Sequence, residues 1–266
     1  MKDYRIIDFH THVFDSDDLN ICTHIEHCDM NAENTKRDLM KLGVEKVCGS
    51  VVYKTHNPAP DFQYIKALND KALELRDYYD GFYIPGFHVH PNFVKQSIAE
   101  IERMHKLGVK LIGELVPYCH GWSDYSCKEF SEILEAADHY GMIVSLHSHT
   151  NYDEQRVKQM DEMVKKHQNI KFVGAHICDG ALFESHLNRM NLSENYLVDL
   201  SGGGIYRHGV LRHGIDEFGV ERFLFGSDYP ICNPAMYIGG VTMDFLLTEE
   251  EKQKVLYDNA VKLLGL

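Results

Sequence analysis

Eight short apolar runs, each separated from the next by a segment of helical character, confine this chain to an α/β architecture. They cover 5–10, 45–53, 82–89, 109–116, 142–147, 170–176, 196–200 and 221–227 of 266 residues. Most are rich in Val, Ile, Leu and Phe without strict alternation, the pattern of parallel strands covered on both faces. Between them, 93–107 sets Val94, Ile98, Ile101 and Leu107 near one helix face, and Asp153–His167 sets Val157, Met160 and Val164 on another. Gly43, Gly108, Gly141 and Gly219 stand where helices stop before the second, fourth, fifth and eighth runs. Eight strand–helix units in roughly 250 residues match the count and size of a (β/α)8 TIM barrel. The expectation is therefore one barrel domain over 1–266, which could be distorted in detail. A doubly wound sheet fits less well, because no Gly-x-Gly-x-x-Gly follows the first run.

Barrel enzymes work at the carboxyl ends of their strands, and those ends can be read here. The first run closes on His10-Thr11-His12, two imidazoles two residues apart and so on one face of a strand. The fourth closes on Glu114, the fifth on His147, the sixth on His176 and the eighth on Asp228. Any one polar strand end has an ordinary explanation, since loops collect polar residues. Five ends that all carry histidine or carboxylate point to a metal site, because these are the side chains that hold divalent ions. The expected set is His10, His12, Glu114, His147, His176 and Asp228, holding one or two divalent ions, with zinc favoured.

The chain resembles the amidohydrolase superfamily of metal-dependent barrel enzymes, in particular its amidohydrolase-related branch of small hydrolases and non-oxidative decarboxylases. The resemblance rests on Asp8-Phe-His10-Thr-His12, Ser145-Leu-His147, Val173-Gly-Ala-His176, Phe225-Gly-Ser-Asp228-Tyr-Pro230 and Asn259-Ala-Val-Lys-Leu-Leu-Gly265, nearly end to end. It implies that His10 and His12 hold a first metal and that Asp228 is both ligand and proton acceptor. It implies also that His147 binds metal, and that His176 binds a second metal or polarises the substrate carbonyl. Glu114 departs from the decarboxylase-like members. Its Leu-Ile-Gly-Glu-Leu setting is similar to the fourth strand of TatD-type nucleases, whose glutamate bridges two metals.

The chemistry supports this assignment independently. Hydrolysis at neutral pH needs hydroxide, and a divalent ion lowers the pKa of bound water from about 15.7 to roughly 7. Asp228 suits the transfer of that proton to the leaving group, and the metal or His176 the stabilisation of the oxyanion. The leading expectation is hydrolysis of a small amide, lactone or ester. The alternatives are decarboxylation of an aromatic or unsaturated acid with one ion, a TatD-like phosphodiesterase, and a non-enzymatic metal-binding module.

Several residues have weaker claims. Tyr118, His149, Arg207 and His208 are candidate substrate contacts, the last two beside a Ser201-Gly-Gly-Gly204 run that is either an anion cradle or a flexible turn. His149 could also replace His147 as ligand. His120 and Trp122 could wall the pocket or merely cover the barrel mouth. His88 and His90 form a second His-x-His, for which ordinary buried histidines are the simpler reading. Cys22, His24, His27 and Cys28 invite a structural zinc, but lack the paired Cys-x-x-Cys spacing.

A formal net charge of −13 argues against nucleic-acid or membrane partners, which need concentrated Lys and Arg. A small-molecule substrate is expected; a homo-oligomer stays open. No apolar run approaches the roughly 18 residues of a membrane span, and the N-terminus enters a strand directly. Seven scattered cysteines read as reduced thiols of a cytoplasmic protein.

Overall fold

The computed structural model describes residues 4–15, 31–53, 55–148 and 151–266. Eight parallel strands lie in chain order around one sheet. They are β1 (Ile6–Asp8), β2 (Val44–Gly49), β3 (Tyr83–Phe87), β4 (Leu111–Leu115), β5 (Ile143–Leu146), β6 (Lys171–Gly174), β7 (Tyr196–Asp199) and β8 (Phe223–Leu224). Backbone bonds join the last strand to the first: Phe9 N–H donates to Phe225 O at 2.9 Å, Asp228 N–H to His10 O at 2.8 Å and His12 N–H to Tyr229 O at 2.7 Å. The structure is thus the expected TIM barrel.

The helices are α1 (Ala32–Lys41), α2 (Phe62–Tyr78), α3 (Val94–Lys106), α4 (Lys128–His139), α5 (Glu154–Lys166), α6 (Gly180–Leu192), α7 (Val210–Phe218), α8 (Pro234–Thr242), α9 (Glu249–Gln253) and α10 (Asn259–Leu264). Both helices read from periodicity, α3 and α5, lie within a residue of the expected bounds. Asp153 caps α5 by accepting from Arg156 N–H, as a short carboxylate at that position should.

The strands are shorter than the apolar runs. Residues 221–222 of the eighth run belong to a 3-10 turn that starts at Val220, and Phe225 onward leaves the sheet, so β8 keeps two residues. The second run stops pairing at Gly49. Hydrophobicity reports burial, and residues buried beneath loops at the barrel mouth are as apolar as those in the ladder.

Ile7, Phe9, Cys48, Leu111, Ile143, Val173 and Leu224 form one apolar cluster with Ala260 and Leu264 of α10. Asn259, which opens α10, donates from Nδ2 to Val220 O and Phe223 O at 2.8 Å each. That pins the terminal helix to the barrel and accounts for the closing Asn-Ala-x-x-Leu-Leu pattern as a packing element. The remaining core lies between the sheet and the outer helices.

Candidate metal centre

Glu114 stands at the centre of the six side chains, held there by close backbone packing. A Cβ on the preceding Gly113 would come 2.2 Å from Ser145 O, so only glycine fits between β4 and β5. The carboxylate of Glu114 divides its oxygens between two histidine pairs. Oε2 lies 3.1 Å from His10 Nε2 and 3.2 Å from His12 Nε2. Oε1 lies 3.0 Å from His147 Nδ1 and 3.6 Å from His176 Nε2. Asp228 Oδ1 completes the first pair, 3.5 Å from both His10 Nε2 and His12 Nε2. Two sets of donor atoms, His10–Glu114–His176 and His10–His12–Asp228, each fall within 4.8 Å of one another.

The far side of three of these rings is already bonded. His12 Nδ1 donates to Ser50 O at 3.0 Å. His10 Nδ1 meets Asp199 Oδ2 at 2.9 Å, and Ser201 Oγ lies 2.9 Å from both His10 Nδ1 and His176 Nδ1. Ser201 has one hydroxyl hydrogen and gives it to Asp199 Oδ1. It must then accept from both imidazoles, which places their protons on Nδ1 and leaves their Nε2 lone pairs facing inward. The lone pair on His10 Nε2 so faces a Glu114 oxygen at 3.1 Å, an arrangement that repels unless a proton or a cation lies between them, while His176 Nε2 lies 3.1 Å from His147 Nδ1. His10 Nε2 and Asp228 Oδ1 are buried without a hydrogen-bond partner. The residues present therefore fit a divalent ion.

In the protein alone a proton on His10 relieves the same repulsion. Burial pushes His10 down, but the carboxylates of Glu114 and Asp199 override it and raise its pKa well above the ordinary value. Burial would raise Glu114, yet His10, His12 and His147 hold it well below the carboxylate range. Asp228 goes the other way: burial lifts it to about 6, against the opposing pull of His10 and His12. A carboxylate poised there can carry a proton near neutrality.

His176 and Asp228 adopt left-handed backbone, with φ of 66° and 62°. Non-glycine residues in that region cluster at functional sites, where the surroundings hold them. His186 Nε2 donates to His176 O at 3.0 Å, and the carbonyl of Asp228 accepts from Ile231 N–H at 2.8 Å. Asp8 steadies the same corner, taking Ser227 N–H at 2.9 Å and Ser227 Oγ–H at 2.5 Å.

A cavity of about 430 Å³ opens over Glu114, His12, His147, His176 and Asp228. Its other walls are Val52, His56, Val116, Tyr118, Cys119, Gly202, Gly203, Ile231 and Cys232. Tyr118, a candidate substrate contact, is one of these walls, its ring 5.3 Å from that of His147. Arg207 and His208 are not in the lining. The guanidinium of Arg207 is engaged by Asp179 at 2.5 Å and His208 lies against Phe245, because the loop turns outward after Gly204. Gly202 is there for contact, since a Cβ would come 2.4 Å from His176 Nδ1. Trp122 packs on Tyr125 and Phe130 and is not in the lining. His149 and the Cys22, His24, His27 and Cys28 group lie outside the described residues.

Sequence reasoning missed Asp199 and the role of Ser201. The seventh apolar run extends to Leu200 and so makes Asp199 strand interior, whereas in the structure Asp199 is the last residue of β7. His56, a wall residue, carried no signal at all.

The sequence profile described as Amidohydrolase matches residues 7–266. Among curated proteins, none matches the chain. Solved structures share its fold at low identity. A 2,6-dihydroxybenzoate decarboxylase bound to 2,6-dihydroxybenzoate has a TM-score of 0.75 at 14% identity, covering 100% of this chain and 99% of that one. A 5-carboxyvanillate decarboxylase from Novosphingobium aromaticivorans, holding manganese and 3-methoxy-4-hydroxy-5-nitrobenzoic acid, gives 0.75 at 15% identity over 99% and 97%. A probable 2-pyrone-4,6-dicarboxylic acid hydrolase from Acinetobacter baumannii, with citric acid bound, gives 0.69 at 16% identity over 98% and 100%. With a profile match over nearly its whole length and a barrel mouth of converging histidines and carboxylates, this chain belongs to the amidohydrolase family.

Proposed function

We propose that this single-domain chain is a two-metal hydrolase acting on a small lactone, ester or amide. The observation that carries the reading is the division of Glu114, one oxygen to His10 and His12 and the other to His147 and His176. Divalent ions would be held by His10, His12 and Asp228 together with Glu114, and by Glu114 with His176 and His147. Zinc suits the imidazole-rich donor set; manganese, held by the similar 5-carboxyvanillate decarboxylase, is the other candidate. A divalent ion bound there supplies Lewis acidity, both acidifying water and polarising a carbonyl.

The protein's own groups do the rest. Val52, Val116 and Tyr118 hold the apolar body of the substrate against the donor cluster. Asp228 takes a proton from the attacking water as its oxygen joins the carbonyl carbon. It returns that proton to the leaving oxygen or nitrogen as the old bond to carbon breaks. Asp199 and Ser201 keep the imidazoles of His10 and His176 aimed inward.

A second reading is decarboxylation of an aromatic or unsaturated acid on one ion. Two of the three similar structures described are aromatic-acid decarboxylases, and these favour this alternative over hydrolysis. Among the described residues the cavity walls contain no Lys or Arg to clamp a carboxylate, which leaves His56 for that part. Metal analysis of protein purified without chelators, together with Glu114→Gln, separates the two. Two ions per chain falling to about one in the variant, with lactone or ester cleavage, supports hydrolysis. One ion in both forms, with carbon dioxide released from an aromatic acid, overturns it.

A further inference from the structure

Behind His176 runs a buried chain of polar groups that the chemistry proposed above leaves unused. It starts on α5 at Asp161, whose Oδ1 accepts from Arg189 Nε at 2.8 Å. Arg189, on α6, is 1% exposed, a burial that arginine reaches only when paired. Its Nη1 lies 3.4 Å from Tyr196 Oη on β7, and that oxygen lies 2.9 Å from His186 Nδ1. His186 Nε2 in turn reaches the carbonyl of His176 at 3.0 Å.

What each group can give sets the direction of every bond. A guanidinium only donates and a carbonyl only accepts, so the two ends are fixed. His186 must carry its proton on Nε2, and burial beside the Arg189 cation keeps the ring neutral. Nδ1 then offers only a lone pair, so the Tyr196 hydroxyl donates to it and accepts from Arg189. All the hydrogens point one way, from the guanidinium towards His176 O, and bonds in such a chain strengthen one another. The end of β6 leaves room for it. A Cβ on Gly174 would come 2.1 Å from Tyr196 Oη and 2.9 Å from His186 Cε1, which gives the glycine of Val173-Gly-Ala-His176 its purpose.

A buried ion pair is a weak source of stability, since apolar side chains of the same volume often serve as well. The end point of the chain supplies a better reason for it. His176 keeps left-handed backbone at φ 66°, which a non-glycine residue holds only where its surroundings impose it. Asp199 takes its N–H at 3.3 Å and Ser201 its Nδ1–H, while His186 holds its carbonyl. We propose that His186, braced by Tyr196 and Arg189, is a positioning residue that aims the imidazole of His176 at Glu114. It thereby sets the affinity of the ion position formed by Glu114, His147 and His176, a consequence that rests on the two-metal reading.

Calorimetric titration of the metal-free whole chain with zinc tests this. His186→Phe fills similar space without either hydrogen bond. It should hold one of two zinc ions about 10–100-fold more weakly than the wild type and the other unchanged. His186→Gln, whose amide both donates and accepts, should recover most of that loss. Should the Phe variant fail to fold by circular dichroism, Tyr196→Phe removes only the middle link and should weaken the same ion. Nitrogen-15 shifts of His176 in the metal-free protein read its aim without any ion. The wild type should carry its proton on Nδ1 alone, and His186→Phe should mix the two tautomers. A wild type that takes a single ion removes the two-metal reading and leaves this shift to decide the positioning. An unchanged tautomer overturns the proposal. So does equal weakening of both ions by the Phe and Gln variants alike, the mark of a merely structural role.

Discussion

The barrel mouth holds two groups of buried histidines, and only one of them is built for an ion. Around Glu114, four imidazoles meet the oxygens of Glu114 and Asp228, with Asp199 behind. On the β3–β4 side, His88, His90 and His120 are as deeply buried but, among the described residues, have no carboxylate as a hydrogen-bond partner. His88 Nε2 donates to Val51 O and His90 Nε2 to His120 O, at 2.8 and 2.9 Å. His90 also caps a 3-10 turn by accepting Asn92 N–H. Burial there pushes His88 down to about 4 and His120 to about 2, with neighbouring histidines adding to the second effect. The same residue type serves opposite ends. Carboxylates gather positive charge, while an apolar setting keeps imidazole neutral and structural.

The contrast is broken most severely if His10→Ala/His12→Ala keeps its metal. The double variant should lose bound metal and all measurable turnover while remaining folded, by elemental analysis and circular dichroism. Asp228→Asn should retain most of its metal yet lose about two to four orders of magnitude in kcat, since the amide keeps an oxygen but cannot take a proton. A variant of near-native kcat would move the proton role to another group and favour the decarboxylase reading.

Asp199→Asn tests the layer behind the ligands. Groups that orient metal-binding imidazoles are commonly worth 10–100-fold in metal affinity, about the loss expected in a chelator competition. The smallest effect belongs to the other group. His88→Gln should leave metal content unchanged and alter only the dependence of stability on pH. His88 ordinarily titrates near 6.5 and is held at about 4 when folded, so between those values the unfolded chain binds a proton that the folded one refuses. Stability is therefore lost as pH falls from 6.5 towards 4, at roughly 1.4 kcal/mol per unit for this one group. Urea midpoints at pH 7 and pH 5 should lie closer together in the variant than in the wild type. Equal spacing would show that His88 is not buried as a neutral ring.

Much of this was legible in the residues. The barrel followed from eight apolar runs because each strand must be buried on both faces, which leaves a local mark. The strand-end residues followed from the rule that barrel loops carry the chemistry. Arg207 and His208 misled because a charged residue near a glycine run looks the same whether its loop turns in or out. His88-Val-His90 has the same spacing as His10-Thr-His12, and nothing local distinguishes them.

Sequence alone thus determined the alternation, the length and the side-chain types at the strand ends. Only the tertiary structure decided which ends converge, that Glu114 reaches both histidine pairs, and that Asp199 stands behind His10 across 189 residues of chain. The reason is physical. Burial and periodicity act on neighbours along the chain, whereas a shared carboxylate and a fixed imidazole proton depend on distances that exist only once β8 closes on β1.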